Sequence, residues 1–167
     1  MAFLTVIVGP AKSMKRNEVF LREEIARKHG RRTVIVAHSS KQQPKSYEDD
    51  SREVLRVQEL CHVDLRAYDM VFVLHGELFF HLIADVQHLL CQGKVVCVSG
   101  RNSMANILRP HQGIAYLAGI AEEVYPLRGI CCYCCTPASF TKKFPNNLYE
   151  PVCRDCLQQP LRPVLEY

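Results

Sequence analysis

Phe3-Leu4-Thr5-Val6-Ile7-Val8-Gly9-Pro10-Ala11-Lys12-Ser13-Met14-Lys15-Arg16, followed by the helical pattern Asn17–His29, decides the class of the fold. Phe3–Val8 is almost continuously apolar or β-branched. A strand buried on both faces needs that character, and such strands belong to parallel sheets covered by helices. Thr33–Ala37, Met70–Leu74 and Val95–Val98 read the same way, and Glu123–Leu127 reads as a fifth strand. Asn17–His29, stopped by Gly30, and Ser51–His62 read as amphipathic helices, and Phe79–Cys91 as a third, ended by Gln92-Gly93. Ser39–Asp50, rich in Ser, Gln, Lys and Asp, is expected to be a loop. Strand–helix alternation with short connections predicts an α/β three-layer sandwich with a mainly parallel sheet.

In such sheets ligands bind beyond the carboxyl ends of the strands. The first such end runs from Gly9 to Arg16. A P-loop places Gly, four residues, then Gly-Lys-Ser/Thr, so that backbone amides cradle phosphates and the hydroxyl holds magnesium. Gly9 and Lys15 stand at that spacing, whereas Met14 replaces the second glycine and Arg16 the hydroxyl. A side chain at position 14 works against a tight loop, and an arginine ligates no cation. Gly9, Ser13 and Lys15 are the candidate nucleotide-binding residues of this degenerate loop.

The second chemical signal lies near the C-terminus. Cys131/Cys134 and Cys153/Cys156 form two Cys-x-x-Cys pairs, and Cys132/Cys135 offers an equally spaced one. Four thiolates in two knuckles meet the tetrahedral demand of a structural zinc ion with every position filled by protein. Cys61, Cys91 and Cys97 lie in apolar runs and read as small core residues. Nine cysteines are an odd number, and the apolar start Phe3–Val8 is too short for a secretory leader, so a reducing compartment is expected, cytoplasm or nucleus.

The 167 residues, 48% hydrophobic and 23% charged, suit one globular domain with a small appendage. No apolar run reaches the roughly 20 residues of a membrane helix. The net charge of +4 is mild, and acids interleave with the basic clusters, which argues against nucleic acid as a partner. The expected division is an α/β domain over 1–128, a zinc-binding lobe over 129–157 and a tail over 158–167.

Loop and cysteines together carry a resemblance. Gly9, Pro10, Ser13 and Lys15 match an opening Gly-Pro-Met-Phe-Ser-Gly-Lys-Ser/Thr, and Leu74-His75-Gly76-Glu77-Leu78-Phe79 resembles Asp-Glu-Gly-Gln-Phe-Phe. Ser99–Met104 resembles Asp-Gly-Thr-Phe-Gln-Arg, and Ile120-Ala121-Glu122 a Leu-Ala-Glu. Ala138, Phe140-Thr141-Lys142, Tyr149 and Val152 fall where Ala-x-Tyr-Thr-Lys and Lys-Tyr-x-x-Val lie between the knuckles. Over nearly its whole length the chain resembles the type II, zinc-lasso thymidine kinases.

That resemblance implies a P-loop-type core with a zinc-ribbon lasso, and zinc on Cys131, Cys134, Cys153 and Cys156. It also implies Tyr149 in the nucleoside pocket and His75 at the position of the general base. Arg16, Leu74, His75 and Ser99 replace the residues that would handle magnesium and the proton. Glu77 is expected on the wrong face to substitute, since one residue of shift reverses a strand's side chains. Only Phe144–Leu148 fills a stretch that is longer in the family.

The resulting expectation is a catalytically inactive, thymidine-kinase-like protein with no catalytic residue. It would keep structural zinc, dispense with magnesium and ATP, and serve as a binding or regulatory module toward an unidentified protein, in the manner of a viral host-interaction factor. It would keep some homo-oligomeric contact and would not associate with membranes. The alternatives are a divergent active thymidine or nucleoside kinase transferring phosphate from ATP, and a zinc-ribbon nucleic-acid binder using Arg16, Arg31, Arg32 and Arg101.

Overall fold

The computed structural model of the chain describes residues 1–40 and 54–160. Six strands form one sheet: β1 (Phe3–Gly9), β2 (Thr33–His38), β3 (Val54–Val57), β4 (Met70–Leu74), β5 (Val95–Arg101) and β6 (Glu123–Pro126). Their order is β3-β2-β4-β5-β1-β6, and every pairing is parallel. β1 therefore lies inside the sheet, between β5 and β6, as its unbroken apolar run demands.

Helices cover both faces. α1 (Lys15–Lys28) packs Val19 and Ala26 against Ile7, Ile35, Phe72, Leu74 and Cys97. On the other face α2 (Leu82–Cys91) and α3 (Gln112–Ile120) bury Leu82, Val86, Leu89, Ile114 and Leu117 against Leu4, Val6, Val34, Val71, Val73, Val96 and Val98. Successive residues of one strand thus serve opposite cores, which is why the strands show no polar alternation.

The helix expected over Ser51–His62 is not there. Val54–Val57 is an edge strand beside β2, and Leu60–His62 makes a single 3₁₀ turn. Val54 packs on the core under α1, and Leu55 and Val57 on the core of the other face, so strand pairing prevails over a weak helical pattern. Residues 51–53, and nearly all of the loop expected over Ser39–Asp50, lie outside the described residues. Among the described residues no helix is long and apolar enough to cross a membrane.

Beyond β6 the chain makes a small lobe. β7 (Gly129–Ile130) pairs with β8 (Pro137–Ala138), β9 (Phe140–Lys143) forms an antiparallel hairpin with β10 (Tyr149–Val152), and α4 (Arg154–Leu157) closes it. Cys131, Ala138, Val152, Cys156 and Leu157 are its core. The lobe is tied to the loop after β1: the Ala11 amide donates to Thr141 Oγ1 at 3.0 Å, and Lys12 is paired with Glu150.

Phe72, 1% exposed beneath α1, is a direct test of this core. Phe72→Ala should cost about 3–5 kcal/mol in urea unfolding. Phe80→Ala, at a side chain 87% exposed, should stay within about 0.5 kcal/mol of the parent.

Candidate active site and metal centre

β1 ends at Gly9, and the chain turns through Pro10–Met14 into α1. A Cβ on Gly9 would lie 2.5 Å from Ser13 Oγ and 2.7 Å from the Leu127 carbonyl oxygen, so no other residue fits without displacing backbone. The Ser13 hydroxyl donates to the Pro10 carbonyl at 2.9 Å and accepts from Lys15 Nζ at 3.1 Å. Lys15 also donates to the Pro10 carbonyl, so its ammonium lies folded over the loop. Burial pushes Lys15 down to about 8; Glu77 nearby opposes that shift and Arg101 adds to it.

Met14 occupies the left-handed region, at φ 64° and ψ 20°, the conformation for which glycine is the usual residue. The loop geometry thus survives the substitution, with a local strain of about 1 kcal/mol and the side chain in solvent. Arg16 does not turn into the loop; its guanidinium lies 4.9 Å over the Phe20 ring on α1. No side chain caps the N-terminus of α1, whose first amides face the loop.

The turn after β4 corrects the expectation for Glu77. His75 adopts φ 55° and ψ 48°, and Gly76–Leu78 form a 3₁₀ turn, so strand alternation stops at Leu74. Leu74 points into the core under α1. Glu77 swings back beneath the strand ends, 2% exposed. Its Oε2 accepts from the Arg101 amide at 3.2 Å and its Oε1 from Arg101 Nε at 3.1 Å, with His75 Nδ1 4.0 Å away. Burial opposes the charge, yet His75 and Arg101 hold this carboxyl below its ordinary value.

Arg101 is the register partner of Gly9, on the adjacent strand. Its guanidinium carbon lies 5.0 Å from the centre of the Tyr149 ring, with Lys143 Nζ at 5.7 Å from the same ring. Tyr149 therefore faces the strand ends, next to Arg101. His111, just before α3, completes the cluster: its Nε2 is buried and has no hydrogen-bond partner among the described residues. Burial pushes its imidazole below the ordinary value, against the pull of Glu77. Ser99 is structural, its hydroxyl donating to the Val73 carbonyl at 3.2 Å.

The structure thus brings Gly9, Ser13 and Lys15 into one loop and places His75 and Tyr149 at the same strand ends. Glu77, Arg101 and His111 are additions. Arg101 lies beyond the strand expected over Val95–Val98, which in the structure runs on to it, and the turn that brings Glu77 inward depends on a left-handed histidine that no sequence pattern announces.

In the lobe, Cys131, Cys134, Cys153 and Cys156 present sulfurs within 4.8 Å of one another, with Cys134 Sγ 3.6 Å from Cys153 Sγ. A tetrahedral ion with bonds of about 2.3 Å sets its sulfurs about 3.8 Å apart, so these four could hold such an ion. Cys132 and Cys135 stay outside the cluster. Lys142, 4% exposed, donates to the carbonyls of Cys156 at 3.2 Å and Leu157 at 3.4 Å, fixing the second knuckle from behind.

The thymidine kinase family model matches residues 2–157. The chain belongs to the thymidine kinase family. It is 22% identical over 169 residues to the thymidine kinase of vaccinia virus (strain Western Reserve), covering 92% of this chain and 95% of that one. It is 28% identical over 160 residues to the thymidine kinase of Choristoneura fumiferana entomopoxvirus, covering 89% and 84%. With the thymidine kinase of Choristoneura biennis entomopoxvirus it shares 26% over 182 residues, covering 93% and 96%. Membership in this family of enzymes, together with relatives named for the activity, overturns the expectation of a non-enzyme repurposed as a binding module. It likewise removes the support for a protein that dispenses with ATP and magnesium.

Two outcomes check this geometry. Met14→Gly should leave the fold intact and raise stability by up to about 1 kcal/mol, read from the urea midpoint. Cys153→Ser should strip bound metal, read by elemental analysis, and should melt the lobe first, because metal binding there is folding energy.

Proposed function

We propose that the protein is a nucleoside kinase that transfers the γ-phosphoryl group of ATP to the 5′-hydroxyl of thymidine. The observation that carries this reading is the Gly9–Lys15 loop. It sets a half-buried ammonium and the open N-terminus of α1 at the carboxyl end of an interior parallel strand, beside the Glu77–Arg101 pair. Phosphoryl transfer requires mostly positioning and charge, and those are the resources assembled here. The oxygen bridging the β- and γ-phosphorus atoms leaves with ADP, and the 5′-oxygen of the nucleoside bonds to phosphorus. The hydroxyl proton passes to a base at the strand ends, where His75 is half-exposed.

Lys15, released from the Pro10 carbonyl, would bind the phosphate chain, and Ser13 would stay behind to hold the loop. Magnesium would enter with the triphosphate, held through phosphate oxygens and water, since Arg16 and Leu74 offer no ligand. Bound, it neutralises phosphate charge. Residues 1–128 would carry this chemistry. Residues 129–157 would hold structural zinc on the four cysteines and present Tyr149 to the acceptor, with Thr141 and Glu150 coupling that lobe to the loop.

Zinc-replete protein with ATP, magnesium and radiolabelled thymidine should form thymidine monophosphate, and Lys15→Ala should lower the rate on the order of 10²–10³-fold. No product from the parent protein, with zinc bound and the fold intact, would refute the reading. The pH dependence has a definite sign. Lys15 sits near 8, below its unfolded value, so it is charged at pH 7 and loses charge as pH rises through about 8. Triphosphate affinity should therefore fall above pH 8, and Lys15→Arg should remove that fall. Stability should rise over the same interval up to the unfolded lysine range, because there the unfolded chain binds more protons.

A further inference from the structure

We propose that Arg101 meets the phosphate chain directly and supplies, within this chain, the positive charge that residues 16 and 74 do not bring through a metal. The inference rests on the kinase reading of the site. Register places Arg101 beside Gly9, at the start of the phosphate loop. Its backbone amide and Nε are spent on Glu77, while neither terminal nitrogen has a hydrogen-bond partner among the described residues. The guanidinium is held along one edge by a buried carboxylate and over one face by the Tyr149 ring. It is 18% exposed, so its free edge reaches solvent while its position is fixed.

A surface ion pair would leave both partners mobile and contribute little. Here the carboxylate is fully enclosed and the arginine is not, so Glu77 acts as an anchor and Arg101 as the presented group. Lys15 lies folded over the loop that leaves Gly9, and Arg101 is the register partner of Gly9, so ammonium and guanidinium share one strand end, where an anion would relieve their mutual repulsion. A fork of two terminal nitrogens suits a phosphoryl group, and charge held in position before binding acts most strongly where phosphate oxygens gain charge in the transition state. Glu77 is then a positioning residue, acting only through Arg101.

The probe is inorganic tripolyphosphate, measured by titration calorimetry with metal-loaded protein, alongside ATP-to-thymidine kinetics. Arg101→Ala leaves Glu77 buried without a partner, so it is paired with the double variant Glu77→Gln/Arg101→Met, which removes both charges together. Both should weaken tripolyphosphate at least about tenfold, and kcat should fall about 10²-fold or more with a smaller change in the KM for thymidine. Free guanidinium ion at millimolar concentration should restore part of the turnover of Arg101→Ala, a response that a purely structural ion pair would not show. Arg31→Ala, at the opposite end of the sheet, serves as a charge-matched control.

Tripolyphosphate affinity and kcat within twofold of the parent in the double variant would overturn the assignment. So would a loss in Arg101→Ala with no guanidinium rescue and full recovery in the double variant. Arg101-dependent tripolyphosphate binding without phosphoryl transfer by the parent would sink the kinase reading and leave this assignment standing. Transfer that survives in the double variant would do the reverse.

Discussion

The contact on which the rest depends is the pairing of the Glu77 carboxylate with Arg101. A carboxylate this deeply enclosed is costly unless matched in charge and hydrogen bonding. The match joins three parts of the chain: the turn after β4, the end of β5 and, through the Tyr149 ring, the hairpin of the cysteine lobe. Gly9 closes the fourth side by admitting Ser13 and Leu127 against its Cα.

The departures at positions 14, 16, 74 and 75 look different in this light. Met14 keeps the left-handed turn that a glycine would take, Arg16 leaves the site to pack on Phe20, and Leu74 becomes core. Arg16 and Leu74 are absorbed by helix and core, while charge at the strand ends comes from Glu77 and Arg101, neighbours in space. A tally of motif residues therefore underestimates the site, and family membership with relatives named thymidine kinase accords with a working enzyme.

The parallel α/β class, the interior position of β1 and the grouping of Cys131, Cys134, Cys153 and Cys156 were legible because each rests on a local rule: unbroken apolar runs in the first two cases, fixed ligand spacing in the third. Val54–Val57 misled because a short edge strand flanked by polar residues carries too little pattern to exclude a helix. α3 escaped because Gln112–Ile120, with two glycines and apolar residues around the helix, has no clear polar face. Alternation gives the wrong face for Glu77 because it stops at Leu74, where the backbone of His75 begins a turn. Long-range partners such as Glu77 with Arg101 arise from register, which one strand's sequence does not contain.

The most direct measurement of the account is a crystal structure of the zinc-loaded protein with ADP. The β-phosphate should seat on the amides at the start of α1. Lys15 should be turned from the Pro10 carbonyl onto that phosphate, and the terminal nitrogens of Arg101 should lie within hydrogen-bond reach of the phosphate chain. Diphosphate bound elsewhere, with Lys15 still on Pro10 and Arg101 touching only Glu77 and Tyr149, would contradict it.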